Sequence, residues 1–311
     1  MYSSRRSGRA TRLITLVVVA MLATACGGHS PSSQPPNQTS SSIPPRQFPN
    51  WPPEANEFRF QWAGAPGVDL ANGPAVALRA YVESYRLTAF AGGDQSAVYP
   101  GFMRATAEST GPSDDPGSLL QLWYVRPKTR ADNEANGVKY VPRQIYGYQP
   151  TYVLDLTRQE SGYRATVCLG LYSVYRTADD DRTKYFSTIT NPTTGQPLHG
   201  DGGGIEIWRV ELTDTGPQAN TAPPVPALPQ IGPQPAPVDD VFGPWFITGN
   251  SSGVWGPVGG NTEQIDTPEV RQQCAAAMPD DAAARTAMST GFHAAPPPHG
   301  DAIPGWPAES K

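Results

Sequence analysis

Apolar residues follow three different rhythms along this chain. An unbroken apolar run covers residues 13–25. After Asn72-Gly73-Pro74, a helical spacing places Leu78, Tyr81, Val82, Tyr85 and Ala89 on one face, which predicts a helix with proline in its first turn. Gly92-Gly93 stops it, and Asp94 caps a second, shorter helix before Pro100-Gly101 bends the chain. Strands are then predicted at 122–126, 139–146, 151–157, 163–176, 185–190 and 205–213. In the longest, Tyr163, Ala165, Val167, Leu169 and Leu171 share one face, and Arg164, Thr166, Cys168 and Tyr172 the other. Asp266-Thr267-Pro268-Glu269 starts a last helix, with Thr267 or Asp266 as cap, and this helix carries Cys274.

Strand follows strand without an intervening helix, so the expected class is α+β: N-terminal helices packed on a curved antiparallel sheet. Glycine and proline, 66 of 311 residues, gather outside these elements and mark the boundaries. Residues 1–25 read as a signal peptide and 26–53 as a Ser/Pro-rich tether. Residues 54–290 form the single domain, crossed by a proline-rich strap at 217–237. Residues 291–311 are expected to be a disordered tail.

The order of a long helix, a Gly93-Asp94 step, a short helix and then a curved sheet, over residues 74–213, resembles the nuclear-transport-factor-like fold. That resemblance implies a cone-shaped domain in which an acid in an apolar pocket, its pKa raised by desolvation, can serve an isomerase or hydratase. Asp155 is the acid placed mid-strand. By alternation with Val153 it is a candidate to face inward beside Tyr148 or Tyr172, although an outward, solvated position is the favoured one for an aspartate.

Arg5, Arg6, Arg9 and Arg12 precede the apolar run, and no acidic residue occurs before Glu54. The run's 13 residues fall short of the roughly 20 that a membrane-crossing helix needs. It ends in Leu22-Ala23-Thr24-Ala25-Cys26-Gly27, which resembles the bacterial lipobox except that Ala23 stands where leucine is commonest. Together with the tether and the α+β domain, this layout resembles actinobacterial envelope lipoproteins. The resemblance implies cleavage before Cys26 and a diacylglyceryl and palmitate anchor on its thiol and amine. Two acyl chains suffice for stable attachment to the outer face of a cell membrane, each buried methylene contributing about 0.8 kcal/mol. Gly8 and Arg9 occupy positions where a twin-arginine signal has apolar residues, so general secretion is favoured.

Removing the leader's four arginines leaves 19 basic and 28 acidic residues, a net charge of −9, which argues against nucleic acid as a partner. With Cys26 assigned to lipid, Cys168 and Cys274 remain as an even pair in an oxidising compartment. A disulfide between them would close a loop of about 107 residues, contributing about 4 to 5 kcal/mol by chain entropy; two buried free thiols are the alternative. His29, His293 and His299 fall in tether or tail, so a histidine metal or catalytic site is not expected, and no cofactor is implied. His199 to Gly204 reads as a glycine-rich hairpin loop rather than a phosphate cradle, because a strand follows it and not a helix. Asp179 to Asp181 lacks calcium-loop spacing and reads as a solvated turn. The expected function is a non-catalytic, lipid-anchored module that binds an envelope lipid, small ligand or protein partner through a pocket or an aromatic face. The alternatives are an isomerase or hydratase built on Asp155, and a structural subunit of an envelope complex presenting an apolar patch near Trp245 and Trp255.

Overall fold

A computed structural model describes residues 47–198 and 203–308, all within one compact unit, Pro44–Lys311. Cys26 and His199 lie outside the described residues.

The chain enters with strand β1 (Glu57–Gly64), in which Phe58, Phe60 and Trp62 point inward while alternate residues face out. Helix α1 (Pro74–Phe90) follows, with proline in its first turn as expected. Residues from Ala75 to Ser84 are buried without interruption, so α1 is wrapped on all sides rather than along one apolar face. Gly92 and Gly93 end it with positive φ. A side chain at Gly93 would collide with the Arg130 backbone nitrogen 2.4 Å away, so both conformation and space require glycine there. Asp94 caps the next short turn by accepting from Ser96 N.

The predicted strands at 122–126 and over most of 139–146 are replaced by a short 3-10 turn, loops and helix α2 (Arg130–Ala135). Thr129 and Asp132 form a reciprocal capping box on α2, satisfying backbone donors that a strand would have spent on a neighbour. Strand β2 (Ile145–Gln159) is the backbone of the sheet. One of its edges pairs in parallel with β1 along 146–153. Its other edge pairs antiparallel, first with β4 (Val174–Thr177) and then with β3 (Gly162–Gly170). Strand β5 (Tyr185–Ser187) extends the sheet beyond β4, and β6 (Ile205–Thr213) and β7 (Phe246–Ser251) extend it beyond β3. The result is an α+β fold with a curled, half-barrel sheet, antiparallel apart from the β1–β2 pair. A small ribbon, β8 (Val254–Trp255) with β9 (Glu263–Gln264), precedes helices α3 (Pro268–Ala277) and α4 (Ala282–Ser289).

Both faces of the sheet are covered. Val153, Ala165, Val167, Leu169, Val210 and Leu212 join the main core with α1 and β1. On the other face Cys168, Tyr172, Ile205 and Ile207 meet Cys274 and Met278. Cys168 on β3 and Cys274 on α3 form a disulfide, with Cα atoms 5.5 Å apart, that ties α3 to the sheet.

The expected disordered tail is ordered over its described part. Ile303 pairs beside β1, donating its N–H to Phe60 O, and Trp306 exchanges backbone hydrogen bonds with Gln234 of the strap at 2.8 and 3.0 Å. Composition misled here because proline and glycine are compatible with an extended, edge-pairing segment, and a single tryptophan, 1% exposed, supplies the apolar anchor. The strap itself lies across the N-terminal end of α1, with Gln230 N donating to Ala71 O. Among the described residues no helix is long and apolar enough to cross a membrane.

Candidate functional site

Two polar clusters sit on α1, two turns apart. In the first, Arg79 and Glu83 are fully enclosed, at 0% and 1% exposure. Glu83 accepts from Trp62 Nε1 at 2.8 Å, Tyr99 OH at 2.7 Å and Trp306 Nε1 at 2.8 Å. Burial pushes its carboxyl upward, against the pull of Arg79 and of these three donors. The Arg79 guanidinium lies 4.1 Å over the Trp306 ring and donates to the carbonyls of Leu70, Gln230, Pro304 and Gly305. This network joins β1, the loop after α1, the strap and the C-terminal segment. Most of its groups are bonded to one another, although Arg79 Nε and Gln230 Oε1 are buried without a partner.

The second cluster is open. Tyr85, Arg86 and Tyr124 are shared by two hollows, of about 840 and 350 Å³. The larger lies between the C-terminal half of α1, the loop 124–145 and the sheet, and its apolar lining includes Phe90, Ile145, Leu171 and Ile189. Arg86, Lys128, Lys139, Arg143 and Arg176 also line it, with no aspartate or glutamate, so its field is positive although the chain as a whole is acidic. The smaller hollow is lined by Trp123, Glu206, Trp208, Asn250 and Ser251 among others. Volumes of this size match small-molecule sites.

Arg86 is partly buried and lightly bonded, with its guanidinium 5.0 Å over the Phe90 ring. Its Nε donates to Gln149 Oε1 at a long 3.3 Å, and its Nη1 lies 3.6 Å from Glu206. Burial lowers its pKa, and Glu206 opposes that shift. Beside it, Tyr85 is pushed up to about 12, mainly by burial and then by Glu206. Three buried atoms around Arg86 lack a hydrogen-bond partner among the described residues: Gln149 Nε2, Trp208 Nε1 and Asn250 Oδ1. Trp208 packs edge-on against Tyr85, with centroids 4.9 Å apart, and lines the smaller hollow. A buried donor or acceptor without a partner costs about 1 to 3 kcal/mol.

The residues singled out from sequence fare differently. Asp155 is exposed and accepts from the Thr157 hydroxyl at 2.6 Å. A bulge between Val153 and Asp155 adds one residue to β2, so Leu156 rather than Asp155 follows Val153 onto the core face. The acid expected in a pocket is therefore absent from that position. Tyr148 and Tyr172 instead both donate to Asp280, at 3.0 Å each, where the α3–α4 link docks. Asp179 pairs with Arg143 at 2.8 Å, and Asp181 accepts from Thr183. Among the described residues no group of three His, Cys, Asp or Glu side chains is placed to hold a metal. Of the tryptophans, Trp62, Trp208, Trp245 and Trp306 are buried, Trp255 lies under the Arg209 guanidinium at 4.2 Å, and Trp123 lines the smaller hollow.

Sequence reasoning passed over Arg79, Glu83 and Arg86, although one signal was present. Three charged residues interrupt an otherwise apolar helix, and charged side chains on a wrapped helix are rarely buried unless paired. The chain matches no protein-family model, no curated protein and no solved structure.

Proposed function

We propose that this domain is a non-catalytic binding module that holds a small molecule in the cleft at Tyr85, Arg86 and Tyr124, presented at the outer face of a cell membrane by a lipid on Cys26. The observation that carries the reading is a hollow of ligand size on the C-terminal half of α1, lined by Arg86 and four further cationic side chains beside an apolar wall. The likeness in element order to the nuclear-transport-factor-like fold also favours a ligand held between helix and curled sheet. The leader, the lipobox-like Leu22 to Gly27 and the Cys168–Cys274 disulfide support an oxidising, extracytoplasmic address. An exposed Asp155 removes the specific ground for an isomerase or hydratase, and buried Trp245 removes the ground for an apolar docking patch.

Native mass spectrometry of residues 44–311, secreted into an oxidising bacterial envelope and purified without detergent, tests the binding reading. A co-purifying small molecule is the expected result. A bare chain that also takes up none of a panel of apolar and amphiphilic probes would overturn it. The anchor is tested by replacing Cys26 with alanine in the full chain, which should abolish incorporation of labelled palmitate.

A further inference from the structure

We infer that the cleft takes an amphiphile with a single anionic head, a carboxylate or phosphate, seated on Arg86 with its apolar body in the larger hollow. This deepens the binding reading above and rests on it.

The argument begins with donors. Arg86 presents a guanidinium whose one hydrogen bond is a long 3.3 Å contact, in a site where burial strengthens any charge it meets. Trp208 Nε1, in the smaller hollow that Arg86 also lines, is a buried N–H donor without an acceptor, and Gln149, which lines neither hollow, touches Arg86 through its carbonyl. An anion supplies several acceptor lone pairs at one point, which a neutral alcohol or hydrocarbon does not. The second argument is the wall. Phe90, Ile145, Leu171 and Ile189 give the larger hollow an apolar surface beside the same guanidinium, so head and body have adjacent, chemically opposite places. Glu206, 3.6 Å from Arg86, is the local competitor. It weakens the site for an anion without closing it, and it supplies a test of opposite sign.

Isothermal titration of residues 44–311 with monododecyl phosphate, laurate, dodecanol and inorganic phosphate separates the possibilities. The expected order places both anionic amphiphiles at least tenfold tighter than dodecanol, with inorganic phosphate weaker than monododecyl phosphate by a similar factor. Arg86→Gln should remove the anion preference and leave dodecanol binding within threefold of the parent, which also shows that the variant is folded. Glu206→Gln should tighten the anionic probes, and Trp208→Phe should weaken them several-fold. Equal affinity for dodecanol and monododecyl phosphate, or an Arg86→Gln variant with unchanged preference, would overturn the inference while leaving a binding module standing. Inorganic phosphate binding as tightly as monododecyl phosphate would overturn the amphiphile and reassign the cleft to a free anion. Failure of every probe would overturn both readings.

Discussion

The two halves of α1 place the same kinds of residue in the same helix and use them in opposite ways. Arg79 donates to four carbonyls, stacks on Trp306 and stands one turn from a carboxylate that itself receives three donors. Arg86, seven residues on, has one long hydrogen bond and a distant acid. Burial alone therefore does not distinguish scaffold from site. What distinguishes them is how many partners the fold itself supplies: the Arg79–Glu83 pair is held by seven hydrogen bonds and a stacked indole, and Arg86 by one long hydrogen bond beside a cavity.

The largest effect should come from applying one substitution to both guanidiniums. Arg79→Gln strips the four carbonyls of their donor and leaves Glu83 as an uncompensated buried charge, so a loss of about 3 to 5 kcal/mol is expected in urea unfolding. Next comes pH. Burial raises the phenols of Tyr81, Tyr85 and Tyr99 above the ordinary tyrosine value, Tyr85 to about 12. The folded chain thus keeps protons that the unfolded chain releases, so stability is fully present below pH 10 and falls as pH rises toward 12. Tyr85 alone accounts for about 2 to 3 kcal/mol of that loss, measurable as a falling urea midpoint between those limits.

Trp306→Phe keeps the ring under Arg79 but removes one of the three donors to Glu83, and about 1 to 2 kcal/mol should be lost. Combining it with Tyr99→Phe should be non-additive, because both hydroxyl and indole serve the same carboxylate oxygen. Arg86→Gln should change stability by less than about 1 kcal/mol, since little of its bonding capacity is used by the fold. Asp155→Asn, on the exposed edge of the bulge, should fall within about 0.5 kcal/mol of the parent.

Local patterns were legible and distant ones were not. Pro74 at the start of α1, the Gly92-Gly93 stop, the Asp94 cap, the alternation in β3, the strand at 205–213 and the Cys168–Cys274 pair all depend on residues close in sequence or on simple elimination, and the structure contains each of them. Strand β1, with its alternating aromatics Phe58, Phe60 and Trp62, is not among the predicted strands, because it stands alone at the domain boundary and its partner β2 lies some ninety residues on. Asp155 is exposed, the commoner placement for its type, and the one-residue bulge that turns it outward is invisible to a period-2 pattern. The network around Glu83 needed partners from residues 62, 99 and 306, and the cleft needed residues from α1, β6 and the loop after α2. No window along the sequence brings such groups together; the fold does.

The most direct test of the contrast follows the indole N–H signals of residues 44–311, labelled with nitrogen-15 at tryptophan, during titration with monododecyl phosphate. Trp208→Phe, Trp62→Phe and Trp306→Phe assign the three relevant peaks. The account predicts that the Trp208 Nε1–H signal moves downfield as its vacant donor finds an acceptor, while Trp62 and Trp306, already committed to Glu83, stay in place. A stationary Trp208 signal under saturating probe, or movement confined to Trp306, would contradict it.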